Sequence, residues 1–268
     1  MLFCGLVVIL YRIKLADIVG QGKFTWVLFL LLSSSLAGCL SSDSSESTIS
    51  LVVDTETTNG TLIESYSEGE KISTTNVFID FDFSQTSADN KLITYGIDTM
   101  DGRSPVTTNA SSNSIVSVEF TNHGIYNVSA YAVDENNLQQ NMTITIQIDL
   151  RIEWVESSTN NPKTLTFDPN PSNGGPNPKM IEVNSNVENP SLIEDIGSGG
   201  QSVQITWNIV DEQNDVCQKK TTQIEEGESE NWHTLHFNTF QVHELMITYE
   251  EGQDNINIIH TITILYDD

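Results

Sequence analysis

At 268 residues the chain has room for one or two domains with cores of their own. It is 38% hydrophobic and only 18% charged, with Ser, Thr, Asn and Gln prominent in the rest; this suits short strands with polar outer faces better than long surface helices. A net charge of -26 leaves no basic patch, which excludes nucleic acid and anionic headgroups as partners and serves solubility first.

Met1 to Leu10 is an apolar run followed by Arg12 and Lys14, either an extended leader or a start drawn upstream of the true one. Lys23 then precedes a short apolar core from Trp26 to Leu32 and the run Ser33-Ser34-Ser35. This core is too short to span the roughly 30 Å hydrocarbon layer as a helix, so residues 1–38 read as a signal peptide or leader. The sequence Leu36-Ala37-Gly38-Cys39 resembles the lipobox of prokaryotic lipoproteins, whether bacterial or archaeal. The resemblance implies that the Cys39 thiol receives a diacylglyceryl group and that a peptidase cuts just before it. The chain would then be a lipid-anchored protein on the extracellular face of the cell membrane. The other reading is an ordinary secretory leader with a chance cysteine. Removing Arg12, Lys14, Lys23 and Asp17 with the leader leaves 8 bases against 36 acids, so the mature chain is more acidic still. Residues 39–49 are Ser-rich and lack periodicity, which predicts a flexible tether.

Residues 50–150 carry strand signals. Val77, Ile79, Phe81 and Phe83 share one parity, as do Val116, Val118 and Phe120, and again Met142, Ile144, Ile146 and Ile148. Alternation of this kind predicts strands with one buried face, separated here by turn residues at Asp101-Gly102, His123-Gly124 and Asp134 to Asn137. Several such strands at this spacing predict a β-sandwich. Within them, Tyr95, Asp98, Asp101-Gly102, Gly124-Ile125-Tyr126-Asn127-Val128 and Ala132-Val133-Asp134 follow an order that resembles the polycystic kidney disease (PKD) domain, an immunoglobulin-like sandwich. Ile97, Thr99 and Met100 stand where that family carries Trp, Phe and Gly, which makes this a diverged PKD or neighbouring immunoglobulin-like domain. The resemblance implies a fold and a role in extracellular adhesion or spacing, with no catalytic residues to carry over. Four Asn-x-Ser/Thr sequons, at Asn59, Asn109, Asn127 and Asn141, are candidate N-glycosylation sites, which would make the chain a glycoprotein.

Residues 151–268 repeat the pattern. Ile152 with Trp154 and Leu165 with Phe167 open two strands before the Pro-, Asn- and Gly-rich run 168–178 interrupts. Val203, Ile205, Trp207 and Ile209 alternate, as do Leu245, Ile247 and Tyr249, and then Ile256, Ile258, Ile262, Ile264 and Tyr266. The whole is expected to be all-β: two immunoglobulin-like antiparallel sandwiches in tandem, 50–150 and 151–268, after a leader and a tether.

Candidate chemistry is sparse. Asp80, Asp82, Asp98, Asp101 and Asp134 supply the oxygen ligands calcium takes and would have to gather at one end of the first sandwich; otherwise no cofactor is called for. His233 and His236 are an odd number of residues apart, so a strand puts them on opposite faces and no metal is assigned to them or to His243. They read as exposed or edge-strand histidines, and His260 as a satisfied core histidine or a bulge. Cys217 reads as a structural or idle thiol in an acidic setting, and Ser198, flanked by Gly197 and Gly199-Gly200, as linker rather than nucleophile. No nucleophile–base set points to an enzyme. The reading is therefore a non-catalytic surface module for adhesion, binding or spacing, with the membrane and an undefined protein or glycan as partners. The alternative is a lipoprotein that captures substrate for a transporter or a secreted enzyme.

Overall fold

A computed structural model describes residues 47–191, 201–252 and 255–266. The leader, Cys39, the tether as far as residue 46 and the Gly-Ser run around Ser198 lie outside the described residues. Every regular element within them is a strand. In chain order these are β1 (Ile49–Ser50), β2 (Asn59–Ser67), β3 (Glu70–Thr75), β4 (Val77–Asp82), β5 (Ser87–Ala88), β6 (Leu92–Asp98), β7 (Val106–Asn109), β8 (Ile115–Phe120) and β9 (Gly124–Asp134). There follow β10 (Gln139–Thr159), β11 (Leu165–Phe167), β12 (Met180–Glu188), β13 (Val203–Asp211), β14 (Val216–Ile224), β15 (Ser229–His236), β16 (His243–Glu251) and β17 (Ile256–Leu265).

The strands build two immunoglobulin-like sandwiches in tandem, as the alternating pattern predicts, antiparallel in every pairing among the described residues except that of β2 with β10. In the first, β4 pairs with β8 and faces the sheet of β9, β6 and β7. Ile79, Phe81 and Phe83 point inward beside Val116, Val118 and Phe120, and the facing sheet contributes Tyr95, Ile97, Tyr126 and Val128. Phe83 stacks on Tyr95 with ring centroids 4.7 Å apart, and Phe120 meets Tyr126 edge-on at 5.0 Å. The Tyr126 hydroxyl donates to the Asn122 carbonyl at 2.8 Å, a tyrosine corner that fixes the entry into β9. In the second sandwich the sheet β11-β16-β13-β14 faces β15, β12 and β17. Trp207, fully buried, crosses between them: its indole N–H donates to Ser185 Oγ at 2.7 Å, and its ring leans on Trp232.

The halves meet in β10. Its 21 residues cross position 150 without a break in parity, burying Ile146, Ile148, Leu150, Ile152, Trp154 and Glu156 in turn. One edge of β10 pairs with β9 over Gln139–Ile148 and then with β17 over Leu150–Thr159. Its other edge carries β2, in parallel register from Gln147↔Asn59 to Val155↔Ser67. A single nine-stranded sheet therefore serves both sandwiches, and the 150/151 position falls in the middle of a strand. Turn-rich residues 168–178 return to the first half, where Asn173 Nδ2 donates to the Ile125 carbonyl at 3.0 Å. Gly124, at φ 149°, leaves room for that amide; a Cβ there would lie 2.6 Å from Asn173 Nδ2.

Candidate functional site

Where β10 splices the halves, a cleft of about 280 Å³ opens between them. Its floor is the even-numbered face of β2 and β10, with Leu62, Leu150 and Ile152 supplying apolar surface. The turn at Thr121–His123 forms one wall, and the run from Thr166 to Ser172 the other. Tyr66 stands at the rim, its ring stacked on the buried Trp154 with centroids 5.7 Å apart. The Tyr66 hydroxyl donates to Glu64 Oε2 at 2.9 Å, and Lys71 holds Glu64 Oε1 at 2.6 Å. Burial, followed by the Glu64 carboxylate, pushes the Tyr66 hydroxyl up to about 12, so it remains a donor at any physiological pH. On the opposite wall, His123 Nδ1 and the Tyr266 hydroxyl lie 2.8 Å apart, and burial lowers the affinity of the His123 ring for a proton. Asp168 is folded back onto Asn170, accepting from its backbone N–H at 2.9 Å and its side-chain amide at 2.8 Å. The result is a cleft with an aromatic edge, an apolar floor, and carboxylates, amides and hydroxyls in fixed positions. Concave sites for small ligands combine the same elements, with volumes from roughly 300 Å³ upward.

Sequence reasoning missed this cleft. Its signal was the alternation Leu62, Glu64, Tyr66, which marks a strand with a half-polar face but does not say that β2 lies parallel to residues of β10 that stand 88 positions later. All four sequon asparagines, Asn59, Asn109, Asn127 and Asn141, are exposed, and Asn127 accepts from Thr145 Oγ1 at 2.9 Å.

The aspartates do not come together. β6 and β9 pair Leu92 with Asp134 and Asp98 with Ser129, so Asp134 and Asp98 lie at opposite ends of a seven-residue strand, about 20 Å apart at roughly 3.4 Å per residue. Four of the five carboxylates, those of Asp82, Asp98, Asp101 and Asp134, already serve their own turns. Asp134 Oδ1 accepts from the Asn136 and Leu138 N–H groups at 2.9 and 2.8 Å, and its Oδ2 from Asn90 at 2.9 Å. Asp101 is held by Thr99 at 2.6 Å and by Arg103, Asp98 accepts from the Met100 N–H, and Asp82 accepts from Ser84. Asp82 and Asp80 share a shallow groove with Asp54 and Glu56, two acids the sequence reading left out.

The histidines divide. His233 is exposed and pairs with Glu182 at 2.7 Å, as its outward parity predicts. His236 and His243 are buried instead, because both lie on the inward parity of their strands, beside Trp232 and Leu245. Their rings meet edge-on with centroids 4.5 Å apart, and Cys217 Sγ joins them, all three donor atoms lying within 4.8 Å of one another. His260 is the satisfied core histidine expected: fully enclosed, with Nδ1 2.8 Å from Ser185 Oγ.

No protein-family model matches the chain, and no curated protein matches it in sequence. Among solved structures, one described as a carbohydrate-binding module from the β-sandwich superfamily is similar over 82% of this chain and 98% of its own, at 10% identity and a TM-score of 0.31. Tripeptidyl peptidase 2 is similar over 81% of this chain and 20% of its own, at 10% identity and a TM-score of 0.26. A tetra-tandem repeat from the extending region of a large adhesion protein is similar over 79% of this chain and 48% of its own, at 12% identity and a TM-score of 0.23. Likenesses this remote assign no activity and no ligand.

Proposed function

We propose that the chain is a lipid-anchored, non-catalytic surface protein that binds a polar, uncharged ligand, a glycan by preference, in the cleft spliced by β10. In this reading Cys39 carries the anchor, the tether holds the sandwiches off the membrane, and the first sandwich is a diverged PKD domain. The observation that carries the proposal is the pairing of a rim aromatic, Tyr66 on Trp154, with Glu64, Asn122, Asp168 and Asn170 around one small concavity. An aromatic face covers the C–H side of a sugar ring while fixed carboxylates and amides read its hydroxyls, and the net charge of -26 turns away anionic ligands. The Tyr126 corner and the cap on Asp134 sit where the PKD resemblance places its tyrosine and aspartate, which supports that part of the reading.

Glycan-array binding by the full chain, repeated with Tyr66→Ala, tests the assignment. Losing the ring's stacking predicts a drop of roughly two- to tenfold in apparent affinity for any neutral glycan retained, since an aromatic contact is worth roughly 0.5–1.5 kcal/mol. Binding that Tyr66→Ala leaves unchanged would place the ligand elsewhere.

A further inference from the structure

We propose that Cys217, His236 and His243 form a thiolate–imidazole site for a soft divalent transition-metal ion, with zinc(II) the ion the donor set suits. The three donors come from three strands in two sheets. β14 is the edge of the four-stranded sheet, β15 is the edge of the nine-stranded sheet, and His243 opens β16. They converge at the margin of the second sandwich, where Gln218 Nε2 donates to the Leu235 carbonyl at 2.9 Å and Thr234 Oγ1 to Gln218 Oε1 at 2.6 Å, lacing the two edges together.

The nitrogens are set up as ligands. His243, wholly buried, has Nε2 2.8 Å from the Asn238 carbonyl. A carbonyl only accepts, so Nε2 carries the proton and Nδ1 presents a lone pair. That Nδ1 is buried with no hydrogen-bond partner among the described residues, and so is Nε2 of His236, which is itself only 7% exposed. Two buried, unpartnered imidazole nitrogens a few ångströms from a thiol are costly unless something binds them. A metal-ligating imidazole usually donates its other N–H to a carbonyl or carboxylate, which fixes its tautomer and holds the ring toward the ion.

The thiol reaches the site through a bulge. β13 and β14 pair Ile209 with Gln218 but Val210 with Val216, so Cys217 is the extra residue and its side chain is re-aimed off the strand's alternation. Metal binding replaces the proton on Sγ, which leaves to solvent. Zn–S and Zn–N bonds of about 2.3 and 2.0–2.1 Å place tetrahedral donors roughly 3.3–3.6 Å apart, so loading draws the cluster in by about 1 Å. Sulfur and nitrogen donors favour zinc over calcium or magnesium, and three protein ligands leave the fourth position to water. Once loaded, the ion joins the two sheets across their open margin. The site also backs onto the cleft wall, because His243 is the cross-strand partner of Phe167 and their rings pack 5.7 Å apart.

Titration of the reduced full chain with cobalt(II) reads the site directly. Expected are one ion per chain, a thiolate-to-cobalt charge-transfer band in the near ultraviolet, intense visible bands of a four-coordinate ion, and displacement of all of them by zinc(II). Cys217→Ser, on an exposed strand, removes the charge-transfer band while keeping the all-β circular dichroism spectrum. His243→Gln abolishes tight binding, and His233→Ala leaves both bands intact. Absence of a charge-transfer band at excess cobalt, or a band that survives Cys217→Ser, would overturn the proposal, and neither result depends on His243→Gln folding.

Discussion

His260 shows how a single enclosed side chain sets the response of the fold to acid. Its ring is held neutral by burial down to about pH 3, whereas the unfolded chain takes the proton at the ordinary value of 6.5. Between those values the unfolded state binds more protons, so the contribution is complete above pH 6.5 and is lost as pH falls toward 3. His123 is shifted the same way by burial and adds to the loss. Above pH 5 the carboxylates stay largely ionised, so that window isolates the histidines. From pH 6.5 to 5, His260 alone costs about 2 kcal/mol at roughly 1.4 kcal/mol per pH unit, or a fall in Tm of roughly 4–8 °C. Thermal melts across that window should show the fall, and His260→Leu should flatten it, since Ser185 keeps its bond to Trp207. An unchanged slope in the variant would show that the ring is solvated.

β10 is the element on which the architecture turns. The even-numbered apolar run Met142, Ile144, Ile146, Ile148, Leu150, Ile152, Trp154 stands in the sequence without interruption, yet the expected division at 150/151 cut it in two, with Ile152 and Trp154 opening a new strand, where β10 runs on. What periodicity does not say is which partners a strand takes, and here the same edge serves β9 and then β17. The core residues of both sandwiches were legible from their parity. Two features were not, because parity fails there: Cys217 sits in a bulge, and Tyr66 gains its role from a parallel pairing distant in sequence. Inserting one alanine after Asp149 inverts the parity of everything that follows in β10, exposing Leu150, Ile152 and Trp154 and burying Arg151 and Glu153. Desolvating the Arg151–Glu153 ion pair, 3.1 Å apart, while exposing three core side chains at roughly 1.5–3 kcal/mol each removes most of the roughly 5–15 kcal/mol that holds a domain together, so the variant should lose cooperative melting in near-ultraviolet circular dichroism. A Tm within a few degrees of the parent would mean that β10 slips freely.

On the scale of the molecule, one sheet and one continuous core join the two sandwiches. Urea unfolding should then give a single transition, with tryptophan fluorescence from Trp154, Trp207 and Trp232 coinciding with far-ultraviolet circular dichroism from all strands. Two separated transitions would mean that the halves fold apart despite β10. The proposed role at the cell surface requires that the acidic sandwiches, with their cleft at the β10 splice, be held outside the cell, and that rests on Cys39. Growing cells with an alkyne-tagged fatty acid and recovering the protein from membranes tests this directly. The account predicts label on the wild-type chain and none on Cys39→Ser, with the wild-type protein open to protease added outside intact cells. An unlabelled wild-type chain recovered from the cytosol would contradict it.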